Sequence, residues 1–331
     1  MKSSLLATAL ALGLPFAASA AIIDNGTIQM GVDTLGQLNV PGGSLSGGGE
    51  TTSVGLRYMP TNYESTAPGC LCEGWGVGAD GQAGYANNST GTGGLTSVDF
   101  TSTASTATSV VSVNGTGLRV THVFAPAAET ANLYRVSVKI ENTGATDIAD
   151  LRYTRTFDWD VEPTAFSEYV THVGTGTTTS LLYSNNNGFE DSNPYASRSV
   201  IDSSGSGVDL NGDFQDFGAE DQGSNFDFGF GALAAGEAYE FDIFYGAAAN
   251  ESLALAALSA VQVELYSLGQ SNTGSGPAND NVTFMFAFKG VGGSVVVPPV
   301  DPSPVPVPAA GFLLLGGLGA LTALRLRRKT A

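Results

Sequence analysis

The segment LYRVSVKI, residues 133–140, alternates apolar and polar side chains almost without a break. A period of two suits a half-buried strand and no helix. The pattern recurs along the chain. TSVVSVNGTGLRVTHVF (108–124) alternates on both sides of Asn114-Gly115, a pair that accepts the positive φ of a hairpin turn. After residue 140 comes ENTG, and IADLRYTRTFDWDV (148–161) then returns, so the spacing predicts a hairpin connection there. FDFGFGALAAGEAYEFDIFYGAA (226–248) reads as two strands about Ala234-Ala235-Gly236-Glu237, and NVTFMFAFKG (281–290) as a late strand. Many short strands with regular turn signals predict an all-β chain, an antiparallel β-sandwich. Residues 21–295 form its body, as one large domain or two closely joined ones.

One segment breaks the rhythm. In NESLALAALSAVQVELYSLG (250–269), Leu253, Ala257, Val261, Leu265 and Leu268 recur at helical spacing. Asn250 suits an N-cap and Gly269 a stop, which predicts one amphipathic helix laid over the sandwich.

The two ends read differently. Lys2 followed by the apolar run Leu5–Phe16 and by Ala18-Ser19-Ala20 has the order of a secretory signal, with cleavage by signal peptidase expected after Ala20. Val297–Pro308 holds six prolines in twelve residues, a semi-rigid stalk within 296–308. Ala309–Leu324 carries no charge, and Arg325, Arg327, Arg328 and Lys329 follow at once. An apolar helix ending in a basic cluster is expected to enter the inner membrane with the cluster on the cytoplasmic side. Taking Lys2 and those four cations from the 13 basic residues leaves 8 against 31 acidic ones, a net charge of −23 between the ends. That surface repels nucleic-acid phosphates, so nucleic acid is excluded as a partner.

Val305-Pro306-Val307-Pro308-Ala309, the Gly/Leu helix and the basic tail together resemble the VPLPA-type C-terminal sorting signals, relatives of the PEP-CTERM signals of Gram-negative bacteria. Val307 stands where that family usually has leucine. The resemblance covers 305–331. It implies a C-terminal transmembrane sorting helix, recognition by an exosortase-type enzyme, a transient inner-membrane intermediate, and delivery to the cell envelope surface or the extracellular matrix. A permanent anchor is the alternative. The stretches GLRYMPTNYESTAPGCLCEGWGVG (55–78) and FGFGALAAGEAYEFDIFYGAA (228–248) are similar to exported proteins that often carry such tails. That likeness implies location and fold and assigns no chemistry.

Three stretches of the body are candidates for chemistry. Asp209, Asn211, Asp213 and Glu220 fall at positions 1, 3, 5 and 12 of a calcium-loop pattern, with Asp216 between and Asp202 and Asp221 nearby. Phe214 stands where an EF-hand needs glycine, so a Ca2+ site and a solvated acidic loop both fit. Asp158, Asp160 and Glu162 share one face of a predicted strand, the spacing of a carboxylate pair in a polysaccharide hydrolase. The plainer expectation is a half-buried strand with that face in water and Phe157, Trp159 and Val161 inside. Cys70 and Cys72 are candidates for a local disulfide in an oxidising compartment. Trp75 between glycines either stacks on the sugar rings of an extracellular polysaccharide or plugs the sandwich. His122 and His172, the only histidines, sit in strand-like runs. No nucleophile elbow, phosphate loop or HExxH appears. The balance of these features favours a non-enzymatic exported protein, with a calcium- or glycan-binding module and a secreted hydrolase as the rivals.

Overall fold

The computed structural model describes residues 20–296, which fall within one compact unit. The residues before Ala20, where a secretory signal is expected, and everything from Val297 on, including the expected sorting motif, lie outside the described residues. The chain runs through β1 (Ala21–Asp24), β2 (Ile28–Val32), β3 (Leu56–Tyr58), β4 (Tyr63–Glu64), β5 (Gly74–Ala79), β6 (Gln82–Asn87), β7 (Leu95–Ser102), β8 (Ala107–Val113) and β9 (Leu118–Pro126). It continues through β10 (Leu133–Asn142), β11 (Ile148–Trp159), β12 (Glu168–Val173), β13 (Leu181–Asn185), β14 (Phe214–Glu220), β15 (Gln222–Leu233) and β16 (Ala238–Ala248). One helix, α1 (Glu251–Val261), precedes β17 (Leu265–Gln270) and β18 (Thr283–Lys289).

These strands make three antiparallel sheets. The largest has nine strands in the order β14-β12-β17-β18-β16-β10-β9-β8-β7. A five-stranded sheet, β13-β15-β11-β5-β6, packs against it, and β1-β2-β3-β4 form a smaller sheet at the N-terminus. Aromatic rings join the two larger sheets. Phe157 of β11 lies 5.3 Å from Phe286 of β18, and Phe228 of β15 lies 4.9 Å from Phe288. Each fully buried ring of this size contributes about 1.5–3 kcal/mol of hydrophobic stabilisation. Strand β18 serves both sides of its sheet. Phe284, Phe286 and Phe288 enter this core, while Met285 and Ala287 face a second cluster under α1.

The predicted strands are present, but not all of the predicted partners. The turn at Asn114-Gly115 does make a hairpin, with Ser112 opposite Arg119. The expected hairpin at ENTG is not one. β10 pairs with β9 and β16, whereas β11 pairs with β15 and β5, so this connection crosses from one sheet to the other. The turn at 234–237 crosses likewise, and the two corners dock: Gly236 N donates to Asn142 O at 2.9 Å, and Asn142 N to Glu237 O at 2.9 Å. Two strands facing one core from opposite sheets show the same alternation as two strands side by side. Periodicity does not distinguish them.

The helix is shorter than its pattern. Asn250 caps it, its side chain accepting from Leu253 N at 2.9 Å. Its backbone stops at Gln262, which takes the left-handed conformation with φ 59°. Leu265 and Leu268 belong to β17, and Leu253 is 48% exposed. The buried stripe is Ala254, Ala257, Leu258 and Val261, which keeps Ala257 and Val261 of the predicted stripe and has Ala254 and Leu258 in place of Leu253.

One ion pair ties these layers together. Arg155 of β11 donates from Nε to Glu73 Oε1 at 2.6 Å, and both side chains are fully buried. Tyr245 of β16 donates to the same oxygen at 3.0 Å, and Leu38 N to Glu73 Oε2 at 2.6 Å. Arg155 Nη2 reaches Gly36 O at 3.2 Å. Truncating one partner of such a pair leaves the other charged and unpaired, which costs about 3–5 kcal/mol. Arg155→Met and Glu73→Gln are each expected to fall in that range by urea unfolding. The double variant is expected to lose less than the two single losses combined, because neither charge is then stranded.

Candidate functional site

The C-terminal end of β11 carries buried carboxyl groups that no cation of the described residues pairs. Alternation holds there, but its consequence differs from the expected one. Phe157, Trp159 and Val161 point into the core, where Trp159 Nε1 donates to Ser224 Oγ at 3.0 Å. Asp158, Asp160 and Glu162 point the other way, and that face is not in water. All three are buried. A roof of loops covers them. Asp160 N donates to Ser65 O at 2.8 Å and Glu162 N to Glu64 O at 3.0 Å, so the strand end lies along the 64–65 segment. Glycines let the roof come close. A Cβ on Gly188 would stand 2.5 Å from Asp158 Cα, and one on Gly69 would stand 2.7 Å from the ring of Phe166 and 3.8 Å from Asp160 Oδ2.

The three acids meet different fates under that roof. Glu162 is saturated. It accepts from Glu64 N at 2.9 Å, Gly48 N at 3.1 Å, Glu50 N at 3.2 Å and the hydroxyl of Ser46. Its role is to staple the 46–50 loop and β4 to the end of β11. Asp158 and Asp160 have no such support. Their carboxyl groups meet each other, and no N–H or hydroxyl group donates to Asp158 Oδ1 or to either oxygen of Asp160. The other oxygen of Asp158 lies 3.2 Å from Cys70 Sγ. Cys70 is bonded to Cys72, so its sulfur has no proton to give and that contact neutralises nothing. Glu168, at the start of β12, uses one oxygen to accept from Gln222 N at 2.8 Å and leaves Oε2 unpaired.

Asp158, Asp160 and the exposed Asp221 each offer an oxygen within 4.8 Å of the others. Burial, followed by the charges of Glu168 and Asp221, pushes Asp158 well above the usual carboxylate range. Burial and the adjacent Asp158 push Asp160 up to about 10. Burial raises Glu168 as well. The arrangement can hold protons or a cation, and no Lys, Arg or His of the described residues forms an ion pair with it.

The structure does not gather the loop residues expected to bind Ca2+. Asp209 closes a local turn with Asn211 N at 3.1 Å, and Asn211 O accepts from Ser184 Oγ at 2.7 Å. Asp213 accepts from Thr175 N and Oγ1 at 2.8 and 2.6 Å. Asp216 faces Thr171, and Glu220 accepts from Ser203 N and Ser204 N, both at 3.2 Å. Phe214–Glu220 is an edge strand with Phe214 and Phe217 in the core, so its acids cannot wrap one ion. Asp221, expected only as a neighbour, is the residue of this stretch that joins a cluster. Glu168 carried no sequence signal except acid on a strand.

Trp75 is also displaced from its sugar-binding reading. It is fully buried, donates to Leu35 O at 2.9 Å and lies 4.4 Å from His122, edge to face. It is the plug. Both histidines are core residues. His122 Nε2 meets Tyr153 Oη at 3.1 Å, and His172 Nε2 meets Ser224 Oγ at 2.8 Å.

Burial pushes His172 down to about 3. A histidine with a depressed folded-state value takes up its proton more readily when unfolded, at about pH 6.5. Its stabilising contribution is therefore complete above that pH and is lost as the pH falls toward 3, at about 1.4 kcal/mol per unit. Urea midpoints measured from pH 7 to pH 4 are expected to fall less steeply in His172→Gln than in the parent chain.

No protein-family model matches the chain, and no curated protein matches it.

Proposed function

We propose that the chain is an exported, non-enzymatic β-sandwich protein of the cell surface or extracellular matrix, sorted through its C-terminal segment. The observation that carries this reading is the Cys70–Cys72 disulfide, which uses every cysteine the chain has. Disulfides persist in oxidising compartments outside the cytosol. The secretory pattern at 1–20, the proline stalk and the VPVPA motif with its basic tail agree with that destination. The high negative charge suits a body that stays soluble beside anionic envelope components.

The geometry also supports a structural role over hydrolysis. Of the three acids that invite a hydrolase reading, Glu162 is locked by four donors, while Asp158 and Asp160 lie beneath loops. A glycosidase needs its carboxylates to flank an open sugar-binding cleft. Among the described residues, no helix is long and apolar enough to cross a membrane, so membrane engagement falls to the C-terminal segment in this reading.

Mass spectrometry of the protein from its native host tests the proposal. The mature chain is expected to begin at Ala21, to lack Gly311–Ala331, and to yield one linked peptide holding Cys70 and Cys72 in a non-reduced digest. Chains intact to Ala331 and retained in the inner membrane would replace sorting with a permanent anchor. Free thiols throughout the exported pool would remove the observation on which the reading rests.

A further inference from the structure

The body buries acid that it does not pair. Inside the fold, Arg57 takes Glu64, Arg155 takes Glu73, and Arg198 takes Asp227 and Glu190. No basic side chain of the described residues forms an ion pair at the end of β11. Three carboxylate oxygens there, on the fully buried Asp160 and the nearly fully buried Asp158, receive no N–H or hydroxyl donor, and Glu168 adds a fourth. Buried polar atoms in folded proteins nearly always have partners. Four unsatisfied carboxylate oxygens in one place call for an agent that the side chains do not supply.

A cation meets the geometry. The oxygens of Asp158, Asp160 and Asp221 lie no more than 4.8 Å apart. That limit is the span across a shell with metal–oxygen bonds of about 2.4 Å, the Ca2+ distance. Oxygens that close can share one ion after a small adjustment of the side chains. The donors are all hard oxygens, which selects against soft metals. The nearby sulfur of Cys70 is bonded to Cys72 and offers no thiolate. Asp221 is exposed, so water can reach one side and complete a shell of about six to eight ligands. The geometry points to a divalent-cation site formed by Asp158, Asp160 and Asp221, with Glu168 at its margin, that takes Ca2+. Asp158 and Asp160 stand at the C-terminal end of β11, the central strand of the five-stranded sheet, while Asp221 lies in the link from β14 of the nine-stranded sheet to β15 of the five-stranded one. Such an ion clamps the sheets where they meet at that rim.

Calorimetry and thermal unfolding of the full chain, stripped with chelator, test this with Ca2+ and Mg2+ as probes. Ca2+ is expected to bind at one site and to raise Tm by about 5 °C at a hundredfold excess over Kd. Mg2+, with its rigid octahedral shell, is expected to do less. Asp160→Asn is expected to abolish the Ca2+ response, because the site then keeps only two of its three carboxylates. Asp209→Asn combined with Asp213→Asn is expected to keep the response of the parent chain. Should Asp160→Asn fail to fold, the exposed Asp221→Asn carries the test, with at least a tenfold loss of Ca2+ affinity expected. No Ca2+ uptake by the stripped parent chain overturns the site. So does a Ca2+ response that survives in Asp160→Asn or Asp221→Asn, or one that Mg2+ matches in parent and variants alike, which marks diffuse screening of the acidic surface.

Discussion

The buried pair of Arg155 and Glu73 sets the position of nearly everything around the acidic strand end. Glu73 directly follows the Cys70–Cys72 bridge, and its carboxylate is fixed from three directions, by Arg155, Tyr245 and Leu38 N. Arg155 in turn holds Gly36 O and lies over the ring of Tyr245 at 5.6 Å. Once this pair forms, the cysteine loop has one place to lie, across the face of β11. Two charges inside a low-dielectric core are tolerated only with good geometry and satisfied neighbours, and here each partner has them. The same charge explains a nearby property. Burial, then the positive Arg155, holds His122 well below the usual imidazole range, so its ring stays neutral against Trp75 and Tyr153.

Alternation made the strands legible, because a period of two is a direct trace of a sheet with one face inside. LYRVSVKI, the Asn114-Gly115 hairpin and the NVTFMFAFKG strand all follow from it. Pairing was less legible. ENTG and AAGE have the composition of hairpin turns, yet each carries the chain between sheets. What decides this is the docking of Asn142 on Gly236 and Glu237, residues far apart in sequence. In the same way, Leu265 and Leu268 continue a helical period by coincidence. Gln262 in the left-handed conformation ends the helix and β17 begins, and nothing local to Gln262 announces that choice.

The candidate site was legible in its residues and not in its environment. Asp158 and Asp160 stand out on the strand, but their burial comes from loops that arrive from positions 64–73 and 188. Trp75 shows the complement: the glycines on both sides left sugar stacking and a plug both open, and they let Ser192 and Asn87 pack tightly against β5. The acidic run at 209–220 matches the spacing of a calcium loop, but Phe214 and Phe217 are drawn into the core and make its second half, 214–220, an edge strand. Buried aromatic area outweighs weak local preferences of acidic side chains for a turn.

Between the ends of the chain, 8 basic residues face 31 acidic ones, so acids drawn inside cannot all be met by side-chain cations. Two other routes remain, backbone and hydroxyl donors or a species from solution. Glu162 shows the first in full, with three backbone N–H groups and the Ser46 hydroxyl turned toward it. Asp160, two residues earlier on the same face, shows neither an N–H or hydroxyl donor nor a counter-charge from the protein. The contrast arises from reach. The longer glutamate extends to the 46–50 loop, where the Gly48 and Glu50 amides donate to it. The shorter aspartate stops beside the carboxylates of Asp158 and Asp221. One strand face thus divides into a structural anchor at its far end and, just before it, a set of oxygens whose only available partners are a proton or an ion from solution.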